Sequence, residues 1–206
     1  MQNMILLNNK ICYLYSLNYL CCENTSVIGL LKAMFFDPSL DTRRVWVNDT
    51  VARYDGPFCH CELQFSDGKA CTIYMKQKAV LKQRSGTFGP CYTCVSIPLK
   101  KEAELAARKH AEAIVERGES FSMLGMLTAL TPIHAPSWVG TFCSRLCCEV
   151  LQEAGVIPWS IDARGVSPSK LHSLLTASKD LGAHLYAAPS HRPASVDVES
   201  VAIDFK

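Results

Sequence analysis

Thr141-Phe142-Cys143-Ser144-Arg145-Leu146-Cys147-Cys148-Glu149-Val150-Leu151-Gln152-Glu153-Ala154-Gly155 is the stretch around which the rest of this 206-residue chain is organised. Its pattern is that of a helix with a cysteine in the first turn. Thr141 is a good N-cap, able to accept a hydrogen bond from a free backbone N–H two or three residues on. Leu146, Val150, Leu151 and Ala154 recur at helical spacing, and Gly155 stands where a left-handed residue commonly ends a helix. Cys143 falls where orphan N–H groups and the positive end of the helix dipole favour a thiolate over a thiol. A thiolate so placed is the nucleophile that thiol-dependent hydrolysis needs. A buried, inert cysteine is the plainer use of such a position, so a second group must come from elsewhere in the chain.

That group lies upstream, in Phe58-Cys59-His60-Cys61-Glu62-Leu63-Gln64-Phe65 followed by Ser66-Asp67-Gly68. The octet alternates like a half-buried strand, Asp67-Gly68 is a hairpin-turn signal, and a second strand is expected from Ala70 to Met75. His60 is then carried on rigid sheet, which suits a general base; the plainer reading is a hydrogen-bonded structural histidine. Glu62 shares a strand face with His60 and is a candidate to orient the imidazole. Cys59 and Cys61 are expected to turn away from the face that His60 uses. Cys147 and Cys148, one turn into the helix, are expected to lose the dipole benefit that Cys143 keeps. The backbone N–H of Cys143 is a natural oxyanion donor.

Zinc is the rival chemistry. Cys59, His60, Cys61, Cys71, Cys91 and Cys94 include a Cys-x-x-Cys spacing, and thiolate with imidazole is a zinc ligand set. Adjacent strand residues point to opposite faces, however, so Cys59 and His60 do not easily chelate one ion, and Cys91 to Cys94 has no clean second knuckle. The expectation is no metal and no cofactor. His110, His134, His172, His184 and His191 read as ordinary surface or core residues.

Taken together, His-x-Glu-Leu before an Asp-Gly hairpin, then a long helix, then Phe-Cys-Ser on a helix ending in Ala-Gly resembles the circularly permuted NlpC-type, papain-like thiol hydrolases. The branch it is most similar to is the YiiX-like one, related to lecithin–retinol acyltransferase-like proteins. In papain the cysteine precedes the histidine; here His60 precedes Cys143, as in the permuted branch. Gly165-Val166-Ser167-Pro168-Ser169-Lys170-Leu171 is similar to the Thr/Ser-Pro-x-x-Leu segment that comes after the nucleophile helix in these proteins. The resemblance covers about residues 54 to 178. It implies an α+β fold, a small antiparallel sheet of three or more strands packed against the nucleophile-bearing helix. It also implies acyl transfer through a thioester on Cys143, with a peptide, isopeptide or other amide substrate first and a lipid acyl substrate second. A non-catalytic binding protein on the same scaffold is the third alternative. The family's third catalytic group lies on the next strand about a dozen residues past the histidine, which here falls at Thr72.

Composition bounds the rest. A chain of this length can bury a real core, and a formal net charge of +2 gives no electrostatic case for nucleic acid. Eleven cysteines, an odd number with adjacent pairs at Cys21-Cys22 and Cys147-Cys148, do not form a disulfide framework and point to a reducing compartment such as the cytoplasm. Residues 1–40 are an N-terminal apolar segment, with a short helix expected from Val27 to Phe36 and interfacial membrane attachment through residues 1–36 as the sharper alternative to packing. No run there reaches the ~18 apolar residues of a spanning helix, and no secretory signal is convincing. The catalytic domain is expected over residues 41–188. It would hold a short strand around Val45-Trp46-Val47, a basic solvated stretch from Lys76 to Arg84, a strand from Cys91 to Leu99, a helix from Lys100 to Arg117 with Leu105, Ala111, Ile114 and Val115 inward, and a core helical stretch from Ser120 to Leu130. A last edge strand is expected at His184 to Ala188, and residues 189–206 read as a loose tail.

Overall fold

The structure, a computed structural model, describes residues 6–7, 10–11, 28–42, 45–84 and 89–180. A minimal antiparallel hairpin pairs β1 (Leu6–Leu7) with β2 (Lys10–Ile11). The principal sheet has five antiparallel strands: β3 (Ile28–Phe36), β4 (His60–Gln64), β5 (Lys69–Thr72), β6 (Val80–Gln83) and β7 (Tyr92–Lys100), in the spatial order β6-β5-β4-β3-β7. Among the described residues five α-helices accompany it: α1 (Trp46–Asp55), α2 (Lys101–Glu116), α3 (Met123–Thr128), α4 (Cys143–Glu153) and α5 (Pro168–Asp180). The arrangement is α+β, with a small antiparallel sheet against which α4 packs.

The centre of the sheet is where the sequence reading needs correction. The segment expected as a helix from Val27 to Phe36 is strand β3, paired along one edge with β4 and along the other with β7. A mostly apolar run fits either period, and the flanking strands settle it, β7 pairing with Ile28–Phe36 on one edge and β4 with Lys32–Phe36 on the other. Leu31, Ala33 and Phe35 then fall at alternate positions on the covered face and are 0%, 1% and 0% exposed. A domain drawn from residue 41 therefore leaves out an interior strand of its own sheet. The expected strand at Val45-Trp46-Val47 is also corrected: Val45 is the N-cap and Trp46 the first residue of α1, which buries none of its residues fully. Strand β6 emerges from the basic stretch read as a solvated face, because Val80 and Leu81 pair with Thr72 and Cys71 of β5.

The hairpin from β4 to β5 turns as expected at Asp67-Gly68, where Gly68 has φ 83°, a conformation that disfavours a side chain. The long helix is present as α2, but its inward face is Glu104, Ala107, Ala111 and Ile114; Leu105 is exposed. Glu104 is turned inward because its carboxylate accepts from the Ser66 backbone N–H at 2.7 Å. Helix α3 is shorter than the expected core stretch, and Met123, Leu124 and Leu127 on it are exposed. Leu146, Val150 and Leu151 of α4 and Leu171 of α5 are fully buried against the sheet and α2. Each such side chain contributes roughly 1.5–3 kcal/mol. Among the described residues no helix is long and apolar enough to cross a membrane. The edge strand expected at His184 to Ala188, the tail from residue 189 and most of the first 27 residues lie outside the described residues.

Candidate active site

His60 opens β4, in register with Phe36 at the end of β3, and Cys143 is the first residue of α4. Strand alternation divides the side chains of β4 between two faces. Cys61 and Leu63 face α4, while His60 and Glu62 belong to the opposite face of the sheet. Cys143 and His60 line one cleft, and the Cys143 thiol is close enough to both Cys61 and His60 for each to set its ionisation. The strand and the helix thus bring together the two residues expected to work together, and add a third.

The imidazole Nε2 lies 3.3 Å from Thr72 Oγ1 and 3.8 Å from Glu62 Oε1. Of the two orienting candidates, Thr72 is the one within hydrogen-bond reach. Glu62 is committed elsewhere. Its fully buried carboxylate accepts from Arg84 through both Nε, at 3.1 Å, and Nη2, from Tyr74 Oη at 3.1 Å and from Tyr92 Oη at 3.4 Å. Tyr74 also stacks on the His60 ring, with centroids 4.8 Å apart and planes at 23°, and Lys82 Nζ sits 4.6 Å from the centre of the Tyr74 ring. The imidazole is therefore held by a hydroxyl at one nitrogen and by a phenol ring against its face.

The thiols divide sharply. The Cys61 hydrogen bond, with the His60 hydrogen bond and charge behind it, holds Cys143 well below the ordinary thiol range despite its burial. Cys61 is pushed well up, by burial first and then by the bonds it makes to Cys143 and Cys147. Burial raises Cys71 and Cys147 as well, and takes Cys59 and Cys148 to about 12. Only Cys143 of these is shifted toward the thiolate.

Cys143 and His60 border a cleft of about 520 Å³ whose walls include Phe36, Val51, Tyr74, Tyr92 and Met126. On its other side Cys143 adjoins a pocket of about 20 Å³ lined by Phe142, Ser144, Leu130 and Pro168. Two expectations need adjustment here. Phe142 rather than Thr141 is the N-cap; the Thr141 hydroxyl is buried without a hydrogen-bond partner, as is that of Ser144. Cys61 does turn from the face that carries His60, yet that very turn points it at the nucleophile helix. Cys61, Arg84, Tyr74 and Tyr92 are site residues that the sequence reading missed. The basic stretch ending at Arg84 and the tight His-x-Glu spacing were the signals available for them.

The other histidines among the described residues sit apart from this cluster: His134 Nδ1 is 3.1 Å from Asp162, His110 Nδ1 is 3.4 Å from Glu153, and His172 packs its ring on Phe35 and Phe58; His184 and His191 lie outside the described residues. Among the described residues, no group of three or more His, Cys, Asp or Glu side chains is placed to hold a metal ion. Comparison with family models, with curated proteins and with solved structures finds no match to this chain.

Proposed function

We propose that the chain is a cysteine-dependent hydrolase of amide bonds, peptide or isopeptide, built on a permuted papain-like scaffold with Cys143 as nucleophile and His60 as its base. The observation that carries this reading is the juxtaposition of Cys143 and His60 at the wall of one open cleft, with the thiol shifted toward its ionised form. In the reaction the Cys143 sulfur attacks the carbonyl carbon and the C–N bond breaks as His60 delivers a proton to the leaving amine. A thioester remains on Cys143. Water then attacks it, giving its proton to His60, and the C–S bond breaks to release the acid. Thr72 occupies Nε2, so Nδ1 is the nitrogen left for the sulfur and the leaving group. The backbone N–H of Cys143, at the first position of α4, is the donor for the developing oxyanion.

Lipid acyl transfer is the second reading. The exposed apolar side chains of Trp46 on α1 and of Leu124 and Leu127 on α3 favour it, because both helices supply walls to the cavities beside Cys143. Turnover of matched peptide, isopeptide and phospholipid substrates separates the two. Loss of turnover in Cys143→Ala is expected for either; turnover retained in that variant ends both. A thiol-directed electrophile at neutral pH addresses the binding-protein alternative, since equal labelling of the native chain and of His60→Ala would mean that His60 does not activate the thiol.

A further inference from the structure

The second thiol at the site has no part in the hydrolytic cycle just described. Cys61 is 1% exposed, lies on the helix-facing side of β4, and shares a buried cluster with Cys143 and Cys147 of α4, close enough that both bear on its ionisation. A nucleophilic thiol that opens on a cleft while a second thiol touches it from behind is the arrangement in which oxidation is caught at a reversible stage. We infer that Cys143 is a site of reversible oxidation by hydroperoxides, with Cys61 the thiol that resolves it to a disulfide. The inference rests on the reading of Cys143 as the reactive thiol.

The chemistry closes without further groups. The Cys143 thiolate attacks one oxygen of hydrogen peroxide; the S–O bond forms, the O–O bond breaks, and hydroxide leaves with the proton held by His60 as water. Sulfur is oxidised to the sulfenic acid and the peroxide is reduced. The Cys61 sulfur then attacks the Cys143 sulfur; the S–S bond forms, the S–O bond breaks, and the hydroxyl departs with the Cys61 proton as a second water. Both thiols belong to the buried cluster between β4 and α4, and the sulfurs must close to ~2.05 Å for the bond to form. The disulfide caps the nucleophile, and a dithiol restores it. Without Cys61 the sulfenic acid is open to a second peroxide, which takes it to the irreversible sulfinic acid.

Cys147 competes for the role, since Cys61 touches it too. The chain's own tryptic sites separate the possibilities. Cleavage after Arg53, Lys69, Arg117, Arg145 and Arg164 puts Cys61 in the peptide 54–69, Cys143 in 118–145, and Cys147 with Cys148 in 146–164. The full chain is treated with stoichiometric hydrogen peroxide, digested under non-reducing conditions and analysed by mass spectrometry; Cys59→Ser removes the other thiol of peptide 54–69. The expected product links 54–69 to 118–145, and dithiothreitol restores alkylation of Cys143. In Cys61→Ala, peroxide should add two oxygens to peptide 118–145, with recovery by dithiothreitol lost. A link from 54–69 to 146–164, or full recovery in Cys61→Ala, overturns the inference, and the native product alone decides if that variant does not fold. None of these readouts uses a substrate. A disulfide formed in a chain that turns over no amide or ester keeps this inference and removes the hydrolase reading.

Discussion

Cys61 and Glu62, neighbours on opposite faces of strand β4, are buried to the same degree and by opposite means. Cys61 is 1% exposed and Glu62 0%, one residue apart. Cys61 is packed against α4 among Leu63, Leu146 and Cys147, where a neutral thiol is at home and burial pushes its ionisation up. Glu62 carries a carboxylate, which such surroundings would not tolerate; its place is secured by one guanidinium and two phenols that supply four hydrogen bonds between them. The difference teaches where each job can be done. The face toward the helix supplies the thiol that neighbours Cys143. The other face supplies rigid polar scaffolding that fixes the strand end from which His60 reaches across.

If that division is right, removing the nucleophile and removing the scaffold should fail in different ways. Cys143→Ser is the largest effect on chemistry: turnover on any amide or ester substrate should fall to background while circular dichroism and the urea midpoint stay close to native. A variant that unfolds instead would show that Cys143 is structural. Arg84→Ala is the largest effect on stability, about 3–5 kcal/mol by urea titration, because it leaves a fully buried carboxylate without its cation. A cost under ~1 kcal/mol would mean that the Arg84 pair behaves like a surface one.

Next comes the helix-facing face without its nucleophile. Cys147→Ser exchanges a buried thiol for a hydroxyl and should cost ~1–3 kcal/mol while leaving most of the alkylation at Cys143 intact. Loss of the most acidic reactive thiol in this variant, with retention in Cys143→Ser, would reverse the assignment. The pH dependence sharpens the contrast further. Cys143 is held low in the folded chain, so its alkylation should be half-maximal below the ~8.5 of a free thiol and fall away as pH drops through that lower midpoint. His60→Ala should move the midpoint up. Cys59 and Cys148 are raised to about 12, chiefly by burial. Their contribution to stability is complete below the ~8.5 of an unfolded thiol and is lost as pH rises from there toward 12. Thermal midpoints measured between pH 8 and 11 should therefore decline, and Cys148→Ala should soften the decline. The smallest effect is on the orienting contact. Thr72→Val removes one hydrogen bond to His60 Nε2 worth about 1 kcal/mol, a fall of roughly fivefold in turnover with the thiol still alkylated. A loss approaching that of His60→Ala would make Thr72 an equal partner.

What the chain reveals on its own is whatever is local. The helix from Cys143 with its buried stripe of Leu146, Val150 and Leu151, the Asp67-Gly68 hairpin and the long amphipathic α2 arise from periodicity and turn chemistry within about fifteen residues, so they were legible without a partner. The strand nature of Ile28–Phe36 was not, because an apolar run becomes strand or helix according to what lies beside it, and its two neighbours come from residues 60–64 and 92–100. The site divides along the same line. Cys143 and His60 could be picked out by residue type and spacing, and Thr72 only through the family resemblance. The service of Cys61 to the nucleophile, and of Arg84, Tyr74 and Tyr92 to Glu62, depends on which face of the sheet α4 covers. Strand alternation says only that Cys61 and His60 point apart; where each then points is decided when the helix docks, because burial is a property of the packed layers and not of either segment alone.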